Sequence, residues 1–445
     1  MQDEKEDFKG FVKTTKKKVR DWVSRYPRAT RILEYFGLLL LFSLAFYFNF
    51  THFKLFHTDA ESARYLLSAL VQSQAAIVAI VISLTLVAVQ LTASAYSPRV
   101  IDIFKKNLDM WILLGFYGFS IYYGLFLLKL VEGAEGELVS QSAIWALGRF
   151  SISFEFGVSL AYWLGAFTFV ILIPYMWNIM DLLKSESIIN RLKIEITKDN
   201  LLNTEEDPIQ PIMDIIHGSI MKYDLETTRV GLKAVTVQVL KIISTDGEEE
   251  ISRHFCNQLT RVGRLAISRD DVESAIEVID ILNMFGRSAA EEGFEVATLR
   301  TALSLGDVGK IAIEKGFDAV TKQATWSLEE VGRTAAEKGF EVATQHAALF
   351  LGEVGEAAAD IRLEVTISQV ALSLIAVGRT TAEKGLEDAT RQAAESLAKL
   401  TLSSEEIVKT TIQKYESILE EQYCETFQKF MKAYEQELKK LRAKK

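Results

Sequence analysis

YLLSALVQSQAAIVAIVISLTLVAVQL, residues 65–91, decides the fold class, because no charge interrupts it from end to end. A helix rises about 1.5 Å per residue and needs roughly 20 apolar residues to cross the hydrocarbon core of a bilayer. This stretch is long enough. Three more share its character: FGLLLLFSLAFYFNF at 36–50, extended upstream by Ile32 and Leu33, then Met110 to Leu130, then Phe154 to about Leu183. The expected spans are 32–51, 65–91, 110–130 and 154–183. The first is short enough to resemble a signal peptide. However, a long polar segment precedes it, no small-residue cleavage site follows, and bulky Phe53 and Phe56 stand where that site belongs.

Hydrophobic residues make up 49% of the 445-residue chain, and their excess is confined to about residues 36–183. The rest has ordinary helical composition, so a membrane part comes first and a polar part second. A formal net charge of −9 argues against nucleic acid as partner. The two cysteines, Cys256 and Cys424, lie far apart in the polar half and form neither a disulfide framework nor a zinc site.

Cytoplasmic flanks of membrane helices carry the excess of Lys and Arg. Residues 1–31 include Lys16, Lys17, Lys18, Arg20, Arg25, Arg28 and Arg31. The second connection holds Arg99, Lys105 and Lys106, and the exit from the fourth span holds Lys184, Arg191 and Lys193. The first connection is nearly balanced, and the third is acidic through Glu132, Glu135 and Glu137. These counts place both termini in the cytoplasm of a multi-pass protein of the cell (plasma) membrane.

Along the second span, Ser68, Gln72, Ala76, Ala79, Ser83, Gln90 and Ser94 recur at intervals of three, four or seven, and so share one helix face. Gln72 and Gln90 lie about 27 Å apart, near the two edges of the hydrocarbon. Such a stripe can line an aqueous path or let helices pack closely, with the glutamines hydrogen-bonding across the contact. In the third span, Gly115, Gly118 and Gly124 read as close-packing positions rather than a selectivity filter, and Pro174 reads as a kink in the fourth.

Ser83-Leu84-Thr85-Leu86-Val87-Ala88, the turn Ser97-Pro98-Arg99, a short basic helix and an aromatic-rich span after an Asp resemble a prokaryotic family of predicted membrane proteins called domain of unknown function 2254. The resemblance covers about residues 36–185. It implies a multi-spanning membrane protein and no particular activity. Physically, Pro98 can stop the second helix, leaving Arg99, Lys105 and Lys106 at lipid headgroup level.

Gly263, Gly286, Gly309, Gly332, Gly355 and Gly378 are separated by 23 residues each. Aligned on them, Leu305, Leu328, Leu351, Leu374 and Leu397 are equivalent, as are Phe294, Phe317, Phe340, Leu363 and Leu386. A fixed period with recurring apolar positions marks a solenoid, in which each unit buries its face against its neighbours. Two glycines per unit suggest a short helix such as Thr334 to Lys338, a cap at Gly339, and a longer helix from Glu341 to about Val354. In the fourth copy Asp360-Ile361-Arg362 replaces Glu-Lys-Gly, so that turn is expected to be lost and two helices fused. Ser403 and Glu406 suggest a capping box opening one amphipathic helix to about Leu441, either a cap on the array or a coiled-coil oligomerisation helix.

The expected organisation is therefore all-α. A basic segment 1–31 precedes a four-helix transmembrane domain 32–184. A helical connector 185–262, with a linker at 199–211, leads to six helical repeats at 263–400 and an amphipathic C-terminal helix at 401–445. No catalytic motif, metal-ligand spacing or cofactor signature occurs: Gly306–Lys310 lacks phosphate-loop spacing, and His254-x-Cys256 has no further ligands. The expectation is a non-enzymatic protein without cofactors, whose partners are the lipid bilayer, further copies of itself, and a cytoplasmic protein engaged through the repeats. A channel-like oligomer, a membrane-anchored scaffold and, least favoured, a membrane enzyme are the functions to be weighed.

Overall fold

The computed structural model describes residues 27–53, 60–95, 101–105, 107–132, 143–147, 150–203, 207–243, 247–418 and 424–444. The chain divides into two compact units, with the main break between Lys184 and Ser185.

The first unit is built from α1 (Pro27–Phe53), α2 (Ala60–Ala95), the short α3 (Ile101–Lys105), α4 (Leu108–Glu132) and α5 (Phe154–Leu182). A small antiparallel hairpin, β1 (Ala143–Leu147) with β2 (Phe150–Ser153), precedes α5 and pairs Leu147 with Phe150. It is the one departure from an all-helical chain among the described residues. Helix α5 continues through Pro174 as a single helix. Phe42 and Phe46 of α1 pack edge-on against Trp163 of α5, with ring centroids 5.0 and 5.6 Å apart. Ala63, Leu67, Leu127, Val131, Val158 and Ala161 form a buried cluster of α2, α4 and α5. Outside it, Phe36, Leu41, Leu44, Leu84, Leu86, Trp111, Ile173 and Trp177 are all exposed. So much apolar surface is untenable in water and is what a lipid solvent requires. Of the three glycines of α4, only Gly124 makes a close approach, against Val71; Gly115 and Gly118 have open space beside them, so the packing expectation holds for one of the three.

Composition alone singles out a further apolar helix, Glu364–Lys384. It is a repeat copy and not a span: 67% of its apolar window is buried inside the protein, against 17% for α2. Its Ile367, Val370, Leu374 and Val377 are core residues of the array. The fourth membrane helix is instead α1, whose apolar stretch Leu33–Asn49 is shorter.

The second unit begins with α6 (Ser185–Leu192), a single 3-10 turn and α7 (Lys198–Asn203), followed by α8 (Gln210–Ile220) and α9 (Leu225–Ile242). The 199–211 segment read as a linker thus carries α7 and the start of α8. Then come seven helices of similar length: α10 (Glu248–Ser268), α11 (Val272–Glu292), α12 (Glu295–Glu314), α13 (Asp318–Glu337), α14 (Glu341–Asp360), α15 (Glu364–Lys384) and α16 (Glu387–Ser403). Each packs on the next helix and on the next but one, which makes two layers, α10-α12-α14-α16 and α11-α13-α15. Helices α8 and α9 extend these layers upstream of Gly263.

One helix, not two, fills each repeat. The glycine at Gly339 does end a helix, with φ +79°, and Phe340 N–H and Gly339 N–H donate to Ala335 O and Ala336 O in a Schellman turn. The other glycines of the period lie inside helices. Gly332, for instance, admits Ala347 Cβ and Val377 so closely that an added Cβ would stand 3.0 and 3.4 Å from them. The expected short helix at 334–338 is simply the end of α13.

The turn in the fourth copy is not lost. Arg362 takes φ +59° and closes the same Schellman turn, its N–H and that of Leu363 donating to Ala359 O and Ala358 O. Positive φ recurs at Gly247, Asp270, Gly293, Gly316, Gly339, Arg362 and Gly385, a 23-residue rhythm that survives where glycine does not. The five equivalent leucines are all fully buried. Their companions Phe294, Phe317, Phe340, Leu363 and Leu386 are half-buried N-cap residues.

Downstream, α17 (Glu405–Ser417) and α18 (Cys424–Lys444) replace the single expected helix. Ser404 stands at the N-cap of α17 with no side-chain cap, while Ser403 Oγ donates back to Lys399 O at 3.4 Å, so the capping box does not form. Helix α18 packs on α15 and α16 through Phe427, Phe430 and Tyr434, and Tyr434 OH meets Thr401 Oγ1 at 3.0 Å. It covers the end of the apolar layers, as a terminal cap does.

Candidate functional site

Helix α2 has two polar faces, and they point in opposite senses. The expected stripe looks outward: Gln72, Ala76, Ala79, Ser83, Gln90 and Ser94 are exposed, and Ser68 is half-buried. Within the helix, Gln72 Nε2 reaches Ser68 Oγ at 3.3 Å and Ser83 Oγ reaches Ala79 O at 2.8 Å. Ser97, Pro98, Arg99 and Lys106 lie outside the described residues. Lys105 is exposed at the end of α3, and its carbonyl accepts from Trp111 Nε1 at 3.1 Å.

The inward face was not anticipated. Gln74, fully buried, donates to Ser120 Oγ of α4 at 2.9 Å and lies 3.4 Å from Thr168 Oγ1 of α5. Further along, Thr85 Oγ1 and Tyr175 OH are 2.5 Å apart. Beyond these, Asn178 Nδ2 donates to Asn107 Oδ1 at 3.1 Å and to Asp109, all three side chains being buried. Polar side chains thus join α2, α4 and α5 where no water can. Gln74, Thr85 and Tyr175 follow no obvious stripe in sequence; the one available signal was the buried-face spacing Leu67-Gln74-Val81-Ala88.

In the array, His254 Nε2 lies 2.9 Å from Asp207 Oδ2. Burial acts to raise the Asp207 pKa, but the bonds from His254, Ile209 N–H and Gln258 outweigh it and hold the carboxyl below its ordinary range. Cys256 is wholly buried, which pushes its thiol up to about 12, so it is neither nucleophile nor ligand at neutral pH. Among the described residues no group of three His, Cys, Asp or Glu side chains is placed to hold a metal ion. Arg264 and Asp307, Arg287 and Glu330, and Lys310 and Glu353 pair between neighbouring helices of the same layer. These recurrent charges are half-exposed surface pairs, which fix register and add little stability each.

Four apolar helices, three of them joined by internal polar contacts, followed by stacked single-helix repeats, define a multi-spanning membrane protein with a helical repeat array. In agreement, residues 31–222 match a family of predicted membrane proteins (DUF2254). The match runs past residue 185, into α6–α8 and the turn after them, and the array beyond it is unassigned. No curated protein matches the chain. A solved circular tandem repeat protein, with novel repeat topology and enhanced subunit contact surfaces, aligns over 87% of this chain and 99% of its own at 15% identity. Its TM-score of 0.29 is too low to bear on the fold.

Proposed function

We propose that the protein is a channel- or pore-like homo-oligomer of the plasma membrane, with α2 turned toward a shared path, both termini cytoplasmic, and the array serving assembly or gating. The observation that carries this reading is the outward stripe. Gln74 makes the inward polar contacts of α2, to Ser120 and Thr168, whereas Gln72, Ser83 and Gln90 face out of the bundle. An exposed amide in hydrocarbon is unfavourable, whereas around a symmetry axis neutral amides and hydroxyls give weak, multi-site contacts suited to conduction. Cysteine substitution along α2, followed by a water-soluble thiol reagent and by conductance in liposomes, tests the proposal. The expected result is reactivity at 72, 79, 83 and 90 with little between them, in protein shown to be assembled. Uniform protection of position 83 in such protein overturns it.

A second reading, a membrane-anchored scaffold, draws on Trp326. This indole is 43% exposed on the α11-α13 layer, beside a cleft lined by Asp280, Arg287, Glu291 and Gln323. Exposed Trp beside charged groups is a common anchor for a protein partner.

A further inference from the structure

A cavity of about 440 Å³ opens between α10 and α12, neighbours in one layer of the array. Arg261 and Arg264 of α10 and Arg300 of α12 line it, three guanidinium groups against the one carboxylate of Asp307. None of the three is tightly neutralised. Arg264 Nη2 lies 3.9 Å from Asp307 Oδ2, and Arg300 Nη2 reaches the mostly exposed Glu249 at 3.3 Å. Arg261 is exposed and has no carboxylate partner among the described residues. Arg300 Nε–H is buried without a hydrogen-bond partner. The hydroxyls of Thr260 and Ser304 both donate to Cys256 O, so donors to a bound anion come chiefly from the guanidinium groups.

The repeat supplies its own controls. In the equivalent groove between α11 and α13, 23 residues further along, Met284 stands for Arg261 and Gln323 for Arg300, while Arg287 is held by Glu330 at 2.8 Å. In the next groove, between α12 and α14, Phe350 takes the place of Ser304 and lies over Gly306, filling the space. The array packs without these arginines, so packing does not account for three of them around one cavity. Guanidinium forks match phosphate oxygens in bidentate pairs. Asp307 repels a second anionic group and accepts from a hydroxyl.

We propose that the α10-α12 cavity binds a phosphate monoester with a hydroxyl group close to the phosphate, the phosphate on Arg261 and Arg300 and the hydroxyl on Asp307. The volume is one that small-molecule sites commonly have. A soluble ester and a phosphorylated lipid headgroup both carry this chemistry. The site is a property of the array and does not depend on whether α2 lines a path.

Isothermal titration calorimetry of the full chain in phosphatidylcholine nanodiscs, with glycerol 3-phosphate at fixed ionic strength, tests the proposal. Wild type should bind saturably. Arg261→Met and Arg300→Gln, which copy the next repeat, should each weaken binding by about ten-fold, the effect of one lost charged hydrogen bond, with melting temperature near that of wild type. Arg287→Gln, in the neighbouring groove, should bind as wild type does. Nanodiscs that also contain phosphatidylinositol 4-phosphate distinguish the sources: loss of the calorimetric response marks a lipid headgroup as the occupant, and an unchanged response marks a soluble ester. Absence of saturable binding by wild type overturns the proposal. So does wild-type affinity in a folded Arg261→Met, Arg300→Gln double variant.

Discussion

The ring of Phe430, on α18, lies over Gly378, on α15, so closely that any side chain on the glycine would overlap it. In the preceding repeats the same place is taken by a residue 45 positions ahead: Val308 over Gly263, Val331 over Gly286, Val354 over Gly309, Val377 over Gly332 and Leu400 over Gly355. The repeat sequence has run out by α18, and a large aromatic residue supplies the missing knob. A Gly-to-Ala change in a helix ordinarily helps by about 1 kcal/mol, but overpacking costs about 1–3 kcal/mol. Gly378→Ala should therefore lower stability in chemical denaturation, and adding Phe430→Leu should recover part of the loss. An additive double variant would show that the two residues do not share one space.

Much of this was legible beforehand. The uninterrupted apolar runs gave the spans, because lipid leaves a chain few alternatives. The 23-residue period and its buried leucines gave the array. What misled was glycine. One residue type served two purposes, capping at Gly339 and admitting a neighbour at Gly332, and only packing distinguishes them. Arg362 and Asp270 hid two turns, because backbone context can hold a non-glycine residue at positive φ. The polar interior of the membrane unit leaves little trace in sequence, because Gln74 lies two residues from Gln72 and the longer run of small and polar residues occupies the opposite face of the helix.

Arg362 supplies a direct test of that strain. A non-glycine residue in the left-handed region carries a cost of about 1–2 kcal/mol, offset in part by the greater unfolded freedom of glycine. Arg362→Gly should raise stability by about 0.5–1 kcal/mol, and Gly339→Arg should lower it. Parallel thermal melts of the two variants decide the matter, and an unchanged or lower melting temperature for Arg362→Gly would remove the case for strain.

Leu351 tests the core of the array. It is fully buried on α14, whose layer neighbours are α12 and α16. Leu351→Ala should cost about 2–5 kcal/mol, through lost burial and the cavity left behind. A melting curve that matches wild type would mean that the repeat alignment does not describe the core.

His217 gives the array a pH dependence. Burial is the main cause that holds its imidazole below the ordinary value of 6.5, with Arg261 acting the same way and Asp214 opposing them. Its Nε2 has no hydrogen-bond partner. In the folded protein it therefore resists a proton that the unfolded chain accepts. The contribution is complete above 6.5 and is lost as pH falls from there through the folded value. Melting temperature should drop between pH 7 and 5, and His217→Asn should flatten that part of the curve. An equal slope in the variant would point to other groups.

Gln72 and Gln74 stand two residues apart on α2 and face opposite ways, so they separate folding from assembly. Gln74 is buried and bonded to Ser120, with Thr168 beside it; Gln72 is exposed and bonded only to Ser68. Hydrogen bonds between membrane helices contribute about 0.6 kcal/mol on average and up to about 1.7 kcal/mol. Gln74→Leu should lower the stability of the detergent-solubilised protein by an amount in that range, because Ser120 loses its partner. Gln72→Leu removes a polar group that faces outward and should leave monomer stability unchanged, even where it alters the mass of the assembled particle. Thermal melts together with light scattering read both quantities from the same samples. If Gln72→Leu destabilises the monomer as much as Gln74→Leu does, the outward stripe belongs to the fold and not to an interface between copies.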